Sequence, residues 1–174
     1  MKVLIHLFLI ILTLITKSNA ENIFVEAGER YNINPGLLYA IAVVESSLNP
    51  YAISVKGGSC REFPSVRCYE GKRFVSLYPN SLSLARKVLQ KVLERGYYFD
   101  VGLMQISRYE LERRGIDPFE LLDYRKNTFV GAEILAEKIK RYGYSWEAVW
   151  RYNGRPSYAW KVREVYLRHF RDGE

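Results

Sequence analysis

The chain is poor in the side chains that hold transition metals. Two cysteines and two histidines occur among 174 residues. One histidine, His6, falls in an N-terminal stretch that reads as a removable leader, leaving His169 beside Cys60 and Cys68. That is too few nitrogen and sulfur ligands for the usual four-coordinate zinc site, so no metal is expected. A long apolar run is also missing. The longest, Val3 to Ile15, falls short of the roughly 20 residues that a membrane-spanning helix needs. No repeat or low-complexity tract interrupts the sequence, which sets aside repeat architectures.

What is present at the N-terminus fits export. Lys2 precedes the apolar run and Ser18-Asn19-Ala20 closes it with small residues, the pattern of a signal peptide over residues 1–20 cleaved after Ala20. An uncleaved anchor is the alternative. Residues 21–174 then form one domain with room for a single core, located outside the cytoplasm in the periplasm or cell envelope. The leader carries Lys2, Lys17 and no acid, so its loss lowers the net charge from +7 to +5. This balance suits an anionic partner such as cell-wall glycan, membrane or nucleic acid, and charge alone does not choose. The densest basic groups, Lys138 to Arg141 and Arg168 to Arg171, read as solvated helix faces. In an exported protein, Cys60 and Cys68 predict a local disulfide closing an irregular loop, with two free thiols as the alternative.

Periodicity predicts a mostly helical chain. Ile23, Phe24, Ala27, Gly28 and Tyr31 share one face of a first short helix. Asn34 and Pro35 read as N-cap and first turn of a second, running to about Ser46 and closed by Asn49-Pro50. From Tyr51 to Asn80 glycines, prolines and both cysteines predict loops and a small hairpin turning at Glu70-Gly71. A third helix from Leu82 stops at Gly96, and Ser107 with Glu110 forms a capping box opening a helix that ends at Gly115. Asp117-Pro118 starts a short turn. Further helices span about Thr128 to Tyr142, Ser145 to Tyr152 and Ser157 to Phe170. The fold class is therefore α+β and predominantly α-helical, with one irregular or β-hairpin insertion.

One acid breaks the apolar pattern. Leu38, Ile41 and Ala42 lie seven, four and three positions before Glu45, which places this carboxylate on the face the second helix buries. Burial favours the protonated form, and so does the negative end of the helix nearby. A carboxyl that holds its proton near neutral pH is what a general acid requires. A buried salt bridge with an arginine is the competing account. Two later segments offer partners. Gly102-Leu103-Met104-Gln105 sets a side-chain amide beside a glycine where backbone can approach a ligand, and Arg151-Tyr152-Asn153-Gly154 offers a phenol and a second amide.

The order of these segments carries more than each alone. AIAVVESSLNP, then GLMQIS, then YNG, then a final YAWKV helix resembles the soluble lytic transglycosylases of the goose-lysozyme-like family, over roughly Phe24 to Phe170. The short form is similar to specialised members encoded with envelope-spanning secretion, conjugation or pilus machines. The resemblance implies a lysozyme-like fold and cleavage of the bond between N-acetylmuramic acid and N-acetylglucosamine in peptidoglycan, without a cofactor. Partners would be glycan strands and an envelope machine, not nucleic acid, and the chain a monomer. Glu45 matches the catalytic acid and base, and Ser46 the serine that orients the acid or the sugar. Met104 and Gln105 match cleft residues, Tyr152 the tyrosine near the carboxyl, and Asn153 its neighbour. Arg151 departs from the pattern, replacing the small residue common at that place, and Gly154 follows the asparagine directly.

Asp100, just before GLMQ, is a candidate second carboxylate that would permit ordinary hydrolysis. A loop carboxylate capping a turn or paired with an arginine is the simpler expectation. Trp146, Trp150 and Trp160 read as packing residues rather than sugar platforms. Three rival functions stay open: a hydrolytic muramidase, a cysteine peptidase or amidase using Cys60 or Cys68 with His169, and a non-catalytic wall-binding component of a secretion machine.

Overall fold

Asn34 starts the helix that matters most. Its side chain accepts from Gly36 N at 2.8 Å and Leu37 N at 3.3 Å, and Pro35 presets the first turn. In this computed structural model, which describes residues 23–170, that helix is α2, Pro35–Ser46, after α1 at residues 23–31. The leader and its cleavage site lie outside the described residues. α2 ends before Asn49-Pro50. Ser47 and Leu48 turn left-handed at φ 55° and 62°, and their N–H groups bond back to Val43 and Ala42.

The segment expected to be irregular is largely sheet. β1 (Ile53–Lys56), β2 (Arg67–Glu70), β3 (Phe74–Tyr78), β4 (Phe99–Val101) and β5 (Ile106–Ser107) form one antiparallel sheet in the order β2-β3-β1-β4-β5. The hairpin at Glu70-Gly71 is there, with Gly71 N donating to Phe74 O at 2.8 Å. It is only part of the sheet. β4 and β5 come from the apolar stretch Tyr97 to Ile106, whose two- and three-residue pairings are too short to show a period. Cys60 and Cys68 are bridged, with Cα atoms 5.6 Å apart, joining a one-turn 3₁₀ helix (Cys60–Glu62) to β2.

The remaining helices are α3 (Leu82–Glu94), α4 (Arg108–Arg114), α5 (Tyr124–Tyr142), α6 (Trp146–Asn153) and α7 (Pro156–Phe170), with a 3₁₀ turn at Pro118–Leu122. Ser107 caps α4 as expected, although Glu110 turns away to Arg113 and Arg114 instead of closing a capping box. α5 begins one turn earlier than Thr128, because Asp123 accepts from Lys126 N at 2.7 Å and acts as N-cap. Among the described residues no helix is long and apolar enough to cross a membrane.

The sheet has two unlike faces. Ile53, Val55, Val75, Leu77, Phe99 and Val101 point into the core, alternating along each strand with residues that do not. The opposite face presents Ser76, Ser54, Asp100 and Ser107, each the direct cross-strand neighbour of the next. This polar row borders the cavity that holds Glu45.

Candidate active site

Glu45 is carried into the cavity by the last turn of α2. The cavity, of about 400 Å³, is lined among others by Glu45, Tyr98, Asp100, Gln105, Tyr109, Tyr152 and Asn153. Glu45 is thus not sealed in the core. It retains partial exposure because its carboxyl opens onto the cavity, while the surrounding protein still removes most of its hydration. Burial is the main cause that pushes this carboxyl from its ordinary 4.5 to about 7. The nearby Tyr158 hydroxyl and the Asn153 amide pull the value down, and the charge of Asp100 pushes it up. No arginine or lysine forms a salt bridge with Glu45 among the described residues, which removes the buried ion pair as its explanation.

Asn153, the last residue of α6, sets its amide Nδ2 3.3 Å from Glu45 Oε1. Tyr158 approaches from α7. Its hydroxyl is buried and has no partner at full hydrogen-bond geometry, yet lies near enough to Glu45 for each to alter the other's proton affinity. Tyr158 reads in the sequence as an ordinary inward residue. Only the packing of α7 against α2 and α6 brings it to the carboxyl.

The other matched residues serve the backbone more than the opening. Ser46 is 1% exposed and its hydroxyl lies 2.8 Å from Leu103 O and 3.1 Å from Ala42 O. It ties α2 to the Gly102–Gln105 turn, so of its two expected roles, orienting the acid or the sugar, this geometry leaves the first. Met104 corrects its expectation. Its side chain is wholly buried against Gly131 of α5, where a Cβ at position 131 would stand 2.7 Å from Met104 Cβ. Tyr152 donates to Met104 O at 2.8 Å rather than to Glu45, and burial, followed by the charge of Glu45, raises the phenol's pKa.

Gln105 lines the cavity but is internally engaged. Its Nε2 donates to Ala52 O at 3.0 Å and Gly102 O at 2.9 Å, and its Oε1 accepts from Ser54 at 2.7 Å. These bonds hold it at φ 47°, in left-handed backbone. Asn127, buried on α5, completes the turn. Its Oδ1 accepts from Met104 N at 2.7 Å, and its Nδ2 donates to Val101 O and Leu121 O at 3.0 Å each. Gly102, at φ 83°, leaves it room, since a Cβ there would lie 2.0 Å from Asn127 Nδ2. Nothing in the local sequence marks Asn127; an isolated polar residue at a helix start is common.

Asp100 overturns the simpler expectation for it. It sits within β4, has no salt bridge among the described residues, and shares the cavity with Glu45. Burial pushes its carboxyl from 3.8 to about 6. Trp150 packs against the core as expected, but the other two tryptophans correct that expectation. Trp146 is 43% and Trp160 68% exposed, because they lie on the outer faces of α6 and α7, and neither packs in the core or lines the Glu45 cavity. His169 sits in the last turn of α7 against Tyr39 and Phe170, and with both cysteines bridged a cysteine nucleophile is eliminated.

Comparisons with known proteins bear on the family of the chain. The chain is 31% identical over 177 residues to invasion protein IagB of Salmonella typhimurium, covering 94% of this chain and 87% of that protein. It is 31% identical over 181 residues to a peptidoglycan-binding-like protein of Escherichia coli O157:H7, covering 92% and 89%. A shorter match, 33% over 109 residues, links it to type IV secretion system protein virB1 of Brucella abortus, covering 63% of this chain and 40% of that protein. No solved structure matches the chain. The family model for the transglycosylase SLT domain matches residues 22–166. By that span the protein belongs to the SLT transglycosylase family, and its α+β architecture is the lysozyme-like fold of that family.

Proposed function

We propose that the protein is a murein lytic transglycosylase in which Glu45 is first general acid and then general base. The carrying observation is a carboxyl that stays protonated to about pH 7 while facing an open cavity, with an amide donor on one oxygen. Glu45 protonates the oxygen bridging N-acetylmuramic acid and N-acetylglucosamine as the bond from muramoyl C1 breaks. The resulting carboxylate takes the proton of the muramoyl C6 hydroxyl, whose oxygen bonds to C1. The proton returns to Glu45, a 1,6-anhydro end forms, and no water is consumed. Ser46 and Asn153 hold the carboxyl's position in this scheme, while Tyr152, Gln105 and Asn127 hold the turn opposite.

Asp100 supports a second reading. It loses its proton before Glu45 does, so near pH 6–7 the cavity holds one acid and one anion, the pairing that hydrolytic glycosidases use. Digestion of purified sacculi separates the two. Transglycosylase products weigh one water less than hydrolytic ones by mass spectrometry, and anhydro ends are the expected result. Reducing ends alone would favour a lysozyme; intact sacculi would leave a wall-binding component.

The signal-like leader, the peptidoglycan-directed family and the relatives named for invasion and secretion support export to the envelope. There the monomer would open the wall for a secretion, conjugation or pilus apparatus.

A further inference from the structure

Arg151, the residue that departs from the family pattern, is built into a second site. Its guanidinium carbon stands 4.0 Å from the Trp150 ring centroid and 4.9 Å from that of Tyr142. A stacked guanidinium is held ready without losing its hydrogen-bonding edge. A cavity of about 400 Å³ opens beside it, and Lys138, Arg151 and Gly154 line both this cavity and the one holding Glu45. The only acid on its wall, Glu137, is engaged by Arg113 and Arg114 at 2.6 Å each. Arg151 itself meets Glu147 at 3.1 Å, an exposed pair within one helix that holds it weakly. Lys138 and Arg141 have no carboxylate partner among the described residues. The wall therefore keeps a surplus of positive charge.

We propose that this cationic shelf binds the carboxylates of the peptide arm carried by the muramic acid residue, an inference that rests on the glycan-cleaving reading above. A sugar at Glu45 carries its lactyl-linked peptide as a side branch, and a cavity sharing a rim with the catalytic one receives that branch without bending the strand. Arg151 supplies a planar fork that matches a carboxylate, and Lys138 supplies a point charge at the shared rim. The shelf makes the protein selective for peptide-bearing strands over bare glycan.

The test is a binding measurement on the Glu45→Gln protein, so that it reads the shelf whether or not the wild type cleaves. Soluble glycan oligomers are used with their peptides intact or stripped by an amidase. Tighter binding of the intact oligomers, by about 10-fold at low salt, is expected. Adding Arg151→Ala and Lys138→Ala should bring the ratio of the two affinities close to one, and Arg151→Lys should recover part of it. A ratio near one before those changes, one that survives them in a protein of unchanged melting temperature, or no binding of either oligomer overturns the proposal. Failure of the catalytic reading shows separately, as intact sacculi with wild-type protein.

Discussion

The two walls of the catalytic cavity are built on opposite plans. On the helical wall, Glu45 is attended from two other helices, by the amide donor of Asn153 of α6 and the nearby hydroxyl of Tyr158 of α7, and its neighbour Ser46 bolts α2 to the facing turn. On the sheet wall, Asp100 stands in a row of serines with no side-chain hydrogen bond among the described residues, and burial alone raises its pKa. Both carboxyls favour their protons. Only Glu45 has an environment that also fixes where the proton points. Raising a pKa takes no more than removal of water, whereas aiming a proton takes partners on separate elements.

The largest expected effect tests that contrast directly. Glu45→Gln should lower glycan cleavage at least about 100-fold, the usual contribution of a placed general acid, whereas Asp100→Asn should stay within about 10-fold. A loss at Asp100 as large as that at Glu45, measured by muropeptide release, would instead make the sheet wall an equal partner. Next comes the turn between the walls. Gly102→Ala must accept φ 83° and a contact of 2.0 Å with Asn127, and should cost about 3 kcal/mol or more by urea denaturation.

The third prediction is the pH dependence of stability. Glu45 has its folded pKa raised, so the stability tied to its protonated form is full below pH 4.5 and is lost as pH rises to about 7. Glu45→Gln should therefore be neutral below pH 4.5 and stabilising by about 2–3 kcal/mol above pH 7. Equal effects at both pH values would show that the carboxyl is well hydrated. The smallest effect belongs to Tyr158→Phe. The hydroxyl favours the ionised form of Glu45, so its removal should move the alkaline limb of the activity profile upward by less than about one pH unit.

Much of this site was legible in the sequence wherever the signal was local. Asn34-Pro35 marked the start of α2, Gly96 and Gly115 marked helix ends, and Glu45 stood out as an acid on an apolar stripe. The disulfide followed from two cysteines in a chain read as exported. What stayed hidden depends on elements meeting in space. β4 and β5 find partners dozens of residues away, and Tyr158 and Asn127 are ordinary helix residues until α5 and α7 are docked. Ser46 and Met104 were visible as part of a motif, but a motif records position and not direction. The Ser46 hydroxyl braces the backbone and the Met104 side chain packs against Gly131, so neither faces the opening.

The row of Ser76, Ser54, Asp100 and Ser107 gives one side of a five-stranded sheet a polar, partly open surface. Under the proposed function a carbohydrate strand lies along that row and takes the place of solvent, beside Ser54 and Ser107 hydroxyls that already bond to Gln105 and to the first turn of α4. Exchange of one hydrogen-bonded coat for another yields little net grip per sugar. Such a surface lets a polymer slide and re-register, so holding a strand in place falls to its bulky substituents.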